Sequence, residues 1–262
     1  MIAVEHIHKS FGGVHAINDT SLEIATGSIT GLVGANGAGK TTLFNVIAGH
    51  YTPDSGRVLL EGEDITGLAP HELFHKGILR TFQIAHEFST LTVLDNLMVV
   101  PKHPGEGIFS AILRPPMVRT REKEIQERAE DVLDFLQISH VADELAGNLS
   151  GGQKKLLELG RTMMAEPKIV FLDEVGAGVN RTLLRTIGDA ILRLNQERGY
   201  TFCMIEHDME FIARLCETVI VMAEGSVLAQ GTAEEIQCNE AVIESYLGRG
   251  GKRKNKSGNI QS

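Results

Sequence analysis

The sequence predicts an α/β fold with a mixed sheet, an antiparallel β region beside it and an inserted helical subdomain, and three observations carry that expectation. A compact β-prone run, SITGLVG at 28–34, leads through a glycine-rich loop into TTLFNVIAG at 41–49, which has helical spacing and Gly49 as its stop. Two continuous apolar runs, KIVFLDE at 168–174 and YTFCMIEH at 200–207, flank LLRTIGDAILRLNQER at 183–198. That is the pattern of buried parallel strands joined by a crossover helix. Between these blocks, 70–148 changes to helical character.

In chain order, IAVEHIHKSF at 2–11 and AINDTSLEI at 16–24 alternate partly and are separated by glycines at 12–13, so they read as an antiparallel pair. Residues 53–67 read as a turn and two short strands around a hairpin glycine. The stretch 101–119 carries four prolines and is expected to be an irregular excursion. Following it, 120–138 places Ile125, Ala129, Val132, Leu133 and Leu136 on one helical face, a stripe suited to core packing. KKLLELGRTMMA at 154–165 reads as a further helix. TVIVMAEGSVLAQG at 218–231 reads as two strands joined at Glu224-Gly225, and a final helix is expected over 232–247.

The 262 residues are 42% hydrophobic, enough to build a core without staples. Cys203, Cys216 and Cys238 lack zinc or disulfide spacing and read as buried small apolar residues in a reducing compartment. The start has no apolar core behind basic residues and no run could span a bilayer, so a protein without a signal peptide, in the cytoplasm, is expected. A formal net charge of −9 argues against a nucleic-acid surface. The end, 248–262, departs from this balance: five basic residues and no acid make it an expected disordered tail, with a membrane or partner contact as the other reading.

The chemistry concentrates at a few positions. Gly34, Gly37, Gly39, Lys40 and Thr41 fit G-x-x-x-x-G-K-[ST], between a strand and a helix as that motif requires. Its glycines turn backbone N–H groups toward phosphate oxygens, Lys40 reaches the β- and γ-phosphates, and Thr41 offers its hydroxyl to Mg²⁺. Asp173 ends an apolar strand, where a carboxylate calls for a cation, and Mg²⁺ is the expected partner. Glu174 follows, placed to orient or deprotonate a water attacking the γ-phosphate; a cap or salt bridge is its plainer reading. His207 ends the next strand. Gln83, in ILRTFQ, and Phe11 carry little signal singly: Phe11 by itself reads as a core aromatic.

A second glycine-rich stretch, LSGGQ at 149–153, raises these items together. In this order and spacing GANGAGKT, TFQ, LSGGQ, VFLDE and EH resemble the ATP-binding subunit of an ABC transporter, over nearly the whole chain from Phe11 to Leu247. The resemblance implies a P-loop ATPase domain over 1–247, with 1–84 and 161–247 forming the α/β core and 85–160 the helical signature subdomain. It implies two subunits packed head to tail, so that Ser150, Gly151, Gly152 and Gln153 of one cover the γ-phosphate held by the other. It also implies that Phe11 stacks on adenine, that Asn36 and Thr42 join the phosphate contacts, that Gln83 binds Mg²⁺ and senses the γ-phosphate and the permease, and that His207 contacts the γ-phosphate. ATP and Mg²⁺ are the cofactors so implied. The implied partners are permease subunits, an identical or different second ATPase and a solute-binding protein outside the membrane, with this chain on the cytoplasmic face.

GILRTFQ at 77–83, LTVLDNLMV at 91–99, the proline-rich excursion and GAGVN at 176–180 look closest to branched-chain amino acid importers; urea and amide importers share much of this pattern. Two departures stand out. Val175 replaces the family's usual proline, and Asn180 falls where the family's aspartate is usual. A soluble ABC-type ATPase of iron–sulfur cluster assembly is the competing reading, and a regulatory module that no longer hydrolyses ATP is a third, disfavoured because every expected polar group is present.

Overall fold

The computed structural model describes residues 1–80, 87–101 and 116–251, and two sheets organise it. Strands β1 (Ile2–Phe11), β2 (Val14–Ile24), β4 (Ser55–Leu60) and β5 (Glu63–Asp64) form an antiparallel sheet of order β2-β1-β4-β5. Strands β3 (Ile29–Gly34), β6 (Ile78–Arg80), β7 (Ile169–Asp173), β8 (Thr201–Ile205), β9 (Thr218–Ala223) and β10 (Ser226–Gly231) form the second, of order β10-β9-β3-β8-β7-β6. Its neighbours run parallel except β10, which pairs antiparallel with β9, so the sheet is mixed, as expected.

The central strands β3, β7, β8 and β9 are buried on both faces, and the two-residue alternation sorts their side chains into two apolar clusters. Val33, Val170, Leu172, Phe202, Met204 and Val221 join a cluster with the helices α3 (Val93–Met98), α4 (Pro116–Phe135), α5 (Gly151–Ala165), α6 (Arg181–Arg198) and α7 (Met209–Leu215). Leu32, Phe171, Cys203, Ile205, Ile220 and Met222 pack with α1 (Lys40–Ile47) and the inner face of the antiparallel sheet. Because β3, β7 and β8 run parallel, Gly34, Asp173 and Ile205 all end on one edge, where open α/β sheets place their ligands.

Ile125, Ala129, Val132, Leu133 and Leu136 are all buried, as their spacing predicted, and α4 packs with α3 and α5. Arg128 ties α4 to the end of α5 by donating from Nη2 to the carbonyls of Met163 and Met164 at 2.8 and 3.0 Å, in the last turn where a helix runs short of backbone donors.

Four expectations are corrected. Residues 78–80 form a strand where 70–148 was read as helical; it follows the short helix α2 (Pro70–His75) and is too brief to show a period of its own. Helix α4 begins at Pro116, inside the stretch read as irregular, because proline suits a first helical turn. The final helix is two, α8 (Ala233–Gln237) and α9 (Glu240–Gly251), broken at Cys238. That cysteine is exposed, whereas Cys203 and Cys216 are buried and burial pushes the Cys216 thiol up to about 12. The basic end of the chain from 252 onward lies outside the described residues.

Candidate active site

The phosphate loop is shaped by glycines that no other residue can replace. Gly34 has φ +148°, and a Cβ there would lie 2.2 Å from the Met222 carbonyl oxygen. Gly39, at φ +100°, caps α1 without a side chain, and a Cβ there would come within 2.5 Å of the Ala16 carbonyl oxygen. The first turn of α1 holds no acid, so its N–H groups point toward the loop without a competing carboxylate. Lys40 is buried and folds back, donating from Nζ to the carbonyls of Gly34 and Ala35 at 2.8 and 3.2 Å. Burial pushes its pKa below the ordinary lysine value, opposed by the carboxylates of Glu174 and Asp173.

The loop forms a pocket of about 310 Å³ lined by Asn36, Gly37, Ala38, Gly39, Lys40, Thr41 and Thr42, together with Glu174 and His207. Three separate stretches therefore converge. Glu174 sits one residue beyond β7 in a left-handed backbone conformation, φ 51°, held by its N–H donating to the Ile205 carbonyl at 2.9 Å. Its Oε1 lies 3.3 Å from His207 Nε2, so the last residues of β7 and β8 bring the expected acid and histidine together.

Asp173 is buried but does not line the pocket among the described residues. Its Oδ2 accepts from Arg80 Nη2 at 2.7 Å, and Arg80 Nη1 donates to Asn45 of α1 at 2.5 Å. Arg80 thus ties three elements: β6, β7 and the helix that follows the phosphate loop. The sequence reading missed it, although a cation ending a short apolar run just before TFQ was the available signal. Gln83 itself lies outside the described residues.

Ser150, Gly151, Gly152 and Gln153 stand apart from this pocket. Ser150 caps α5: its Oγ accepts from the Gln153 N–H at 3.3 Å while its own N–H donates to Gln153 Oε1 at 3.0 Å. The two glycines differ. A Cβ on Gly152 would lie 2.3 Å from Leu183 of α6, whereas one on Gly151 meets nothing within 4 Å. Phe11 is 44% exposed at the end of β1, not core, and meets Tyr51 edge to face with ring centroids 5.1 Å apart.

The two departures find local roles. Val175 packs against the helical-side core, and Asn180 caps α6, its Oδ1 accepting from the Leu183 N–H at 2.9 Å. On the other side of Arg80 runs a groove of about 410 Å³ whose described lining includes Phe74, Phe88, Val99, Glu158 and Arg161. Phe74, Phe88 and Val99 are exposed there. Among the described residues, no helix is long and apolar enough to cross a membrane.

Known proteins match this arrangement along the chain. The ABC transporter family model matches residues 17–177, and a model described as branched-chain amino acid ATP-binding cassette transporter matches 226–252. A probable branched-chain amino acid transport ATP-binding protein from Archaeoglobus fulgidus is 40% identical, with 95% of each chain covered. A high-affinity branched-chain amino acid transport ATP-binding protein from Escherichia coli is 35% identical over 95% of this chain and 98% of its own. Among solved structures, the ADP conformation of an ATP-binding cassette of an ABC transporter superimposes with a TM-score of 0.82 at 37% identity, covering 95% of this chain and 98% of that one. With the phosphate loop, the acid–histidine pair and the capped glycine helix in the positions described, the chain belongs to the ABC transporter family as an ATP-binding cassette.

Proposed function

We propose that this cassette binds ATP with Mg²⁺ in the pocket at 36–42 and hydrolyses it to energise uptake of branched-chain amino acids through a membrane permease. The convergence of Lys40, Thr41, Glu174 and His207 on one pocket is the observation that carries this reading. Backbone N–H groups of the loop and Lys40 hold the β- and γ-phosphates, and Phe11 offers its exposed ring to the adenine. The hydroxyl of Thr41 and the carboxylate of Asp173 are hard oxygen donors that fit Mg²⁺, with Gln83 as the third expected ligand. When bound, the ion neutralises charge on the β- and γ-phosphate oxygens. Glu174 orients the attacking water and takes its proton as the new P–O bond forms and ADP leaves. His207, beside Glu174, holds that carboxylate in place and contacts the γ-phosphate.

Ser150, Gly151, Gly152 and Gln153 have no part in their own chain's pocket, which supports their service to a second cassette. There they present a helix N-terminus to the partner's γ-phosphate. The groove beside Arg80 is the surface we assign to the permease. Its exposed Phe74, Phe88 and Val99 suit an apolar helix, and Arg80 links it directly to Asp173.

Light scattering of the Glu174→Gln variant tests the assembly. An ATP-dependent dimer that Ser150→Arg abolishes is the expected result; a persistent ATP-bound monomer replaces self-association with a different ATPase partner. Uptake by the permease complex in vesicles tests the cargo: ATP-driven accumulation of leucine is expected, and accumulation of urea in its place overturns that assignment.

A further inference from the structure

Glu206 is buried at 5% relative exposure between Ile205, which ends β8, and His207, and its carboxyl does not line the phosphate-loop pocket. A buried carboxyl without partners costs several kcal/mol, so its surroundings must supply donors. They do. The Gly176 N–H donates to Glu206 Oε1 at 2.7 Å. Burial raises its pKa above the usual carboxylate range, with the backbone N–H groups of Gly176 and His207 working in the opposite direction.

That bond joins the two stretches that meet at the pocket, since Glu206 itself immediately precedes His207. Gly176 lies two residues beyond Glu174, on the turn that Glu174 enters in a left-handed conformation and that closes through Ala177 N–H donating to the Glu174 carbonyl at 3.0 Å. His207 carries the imidazole 3.3 Å from Glu174 Oε1. Gly176 packs closely on this carboxyl: a Cβ there would lie 3.4 Å from Glu206 Oε2 and 3.3 Å from Leu184. The Glu206 carboxyl therefore ties the turn that carries Glu174 to the end of β8, next to the histidine.

We propose that Glu206 is a positioning residue for ATP hydrolysis, clamping the turn at 174–177 to the end of β8 so that Glu174 and His207 keep their mutual placement. It touches neither nucleotide nor water. Its effect passes through Glu174, and so depends on the role given to Glu174 above.

The experiment compares Glu206→Ala, Glu206→Gln and Glu206→Asp in the full chain, reading kcat, ATP affinity and the unfolding midpoint. Glu206→Ala should lower kcat by about 10- to 100-fold while the Kd for ATP stays within about twofold, the loss being one of orientation. Glu206→Gln retains an acceptor for the Gly176 N–H and should recover kcat to within about fivefold of the parent. Glu206→Asp withdraws the acceptor by one methylene and should lose about as much as alanine, which keeps the test decisive if the alanine variant does not fold. In a Glu174→Gln background, residual single-turnover hydrolysis should be insensitive to Glu206→Ala, because residues acting through one group are not additive. Unchanged kcat in both the alanine and aspartate variants, or an equal loss with and without Glu174, overturns the proposal. An undiminished rate in Glu174→Gln alone would instead overturn the role of Glu174.

Discussion

The two glycine-rich stretches of this chain make opposite use of the same residue. In the phosphate loop, Gly34 and Gly39 are pressed against the backbone carbonyls of Met222 and Ala16, in conformations closed to side chains. The loop is enclosed by its own fold, with Lys40 buried beneath it and Glu174 and His207 closing one side. In the stretch at 150–153, the capping box pairs Ser150 with Gln153, Gly151 faces open space, and none of the four residues lines the phosphate-loop pocket. One loop lines a pocket with two other stretches of its own chain; the other is finished as a helix cap and takes no part in that pocket. The difference teaches that glycine can be required by close packing inside a fold in one stretch and leave a helix start open in another.

Breaking the complete site should have the largest effect. Glu174→Gln should lower ATP turnover by roughly 100- to 10,000-fold, the range of a positioned general base, with ATP affinity retained; a coupled-enzyme assay and equilibrium binding check both. Arg80→Met acts behind the same site. Arg80 and Asp173 are 13% and 7% exposed, so removing the guanidinium leaves a buried carboxylate without its cation and should cost about 3 kcal/mol of stability, read as a lowered denaturant midpoint. Asp173→Asn with Arg80→Met should recover part of that loss, since the pair couples. If it recovers none, the Arg80–Asp173 contact is not the source.

These contacts also mark how far the sequence could be read. The phosphate loop was legible because its glycines, lysine and threonine are consecutive and local backbone shape decides their use. The sheet was legible because IVFL at 169–172 and FCMI at 202–205 are continuous apolar runs, the mark of strands covered on both faces. Strand β6 was not, since three residues show no period and only pairing with β7 makes them a strand. Nor were Arg80 with Asp173, 93 residues apart, or Glu206 with Gly176, 30 apart, because side-chain pairing across a fold leaves no spacing signal. Asn180 was legible only as a departure from the family pattern. The structure gives it a helix cap, a role asparagine fills as well as aspartate does.

Smaller effects sharpen the contrast at the second stretch. Gly152→Ala forces Leu183 aside and should destabilise the fold by about 1–2 kcal/mol, whether or not ATP is present. Gly151→Ala meets nothing and replaces the poorer helix former, so the unfolding midpoint should hold or rise slightly. If this surface serves a second cassette, the same change should weaken ATP-driven dimerisation of the Glu174→Gln variant by about tenfold or more, near 1.4 kcal/mol. An intact dimer in Gly151→Ala would leave Gly152 as the only glycine with a demonstrable need, and that need internal.

Ser150→Ala separates the cap from the contact at the smallest scale. The serine oxygen accepts from the Gln153 N–H, and losing an N-cap of this kind costs about 1 kcal/mol. In a chain of this size that corresponds to a fall of about 2–4 °C in the thermal midpoint without nucleotide. The Gln153 side chain also accepts from the Ser150 N–H, a bond that alanine preserves, so the helix start should fray rather than unwind. If Ser150 did nothing but cap, ATP-driven association would weaken no more than this local loss allows, and Ser150→Asp, an equally good cap, would restore both stability and association. A hydroxyl that meets a partner's γ-phosphate predicts otherwise: aspartate should restore the thermal midpoint while association falls further than in alanine, because a second negative charge then faces the phosphate.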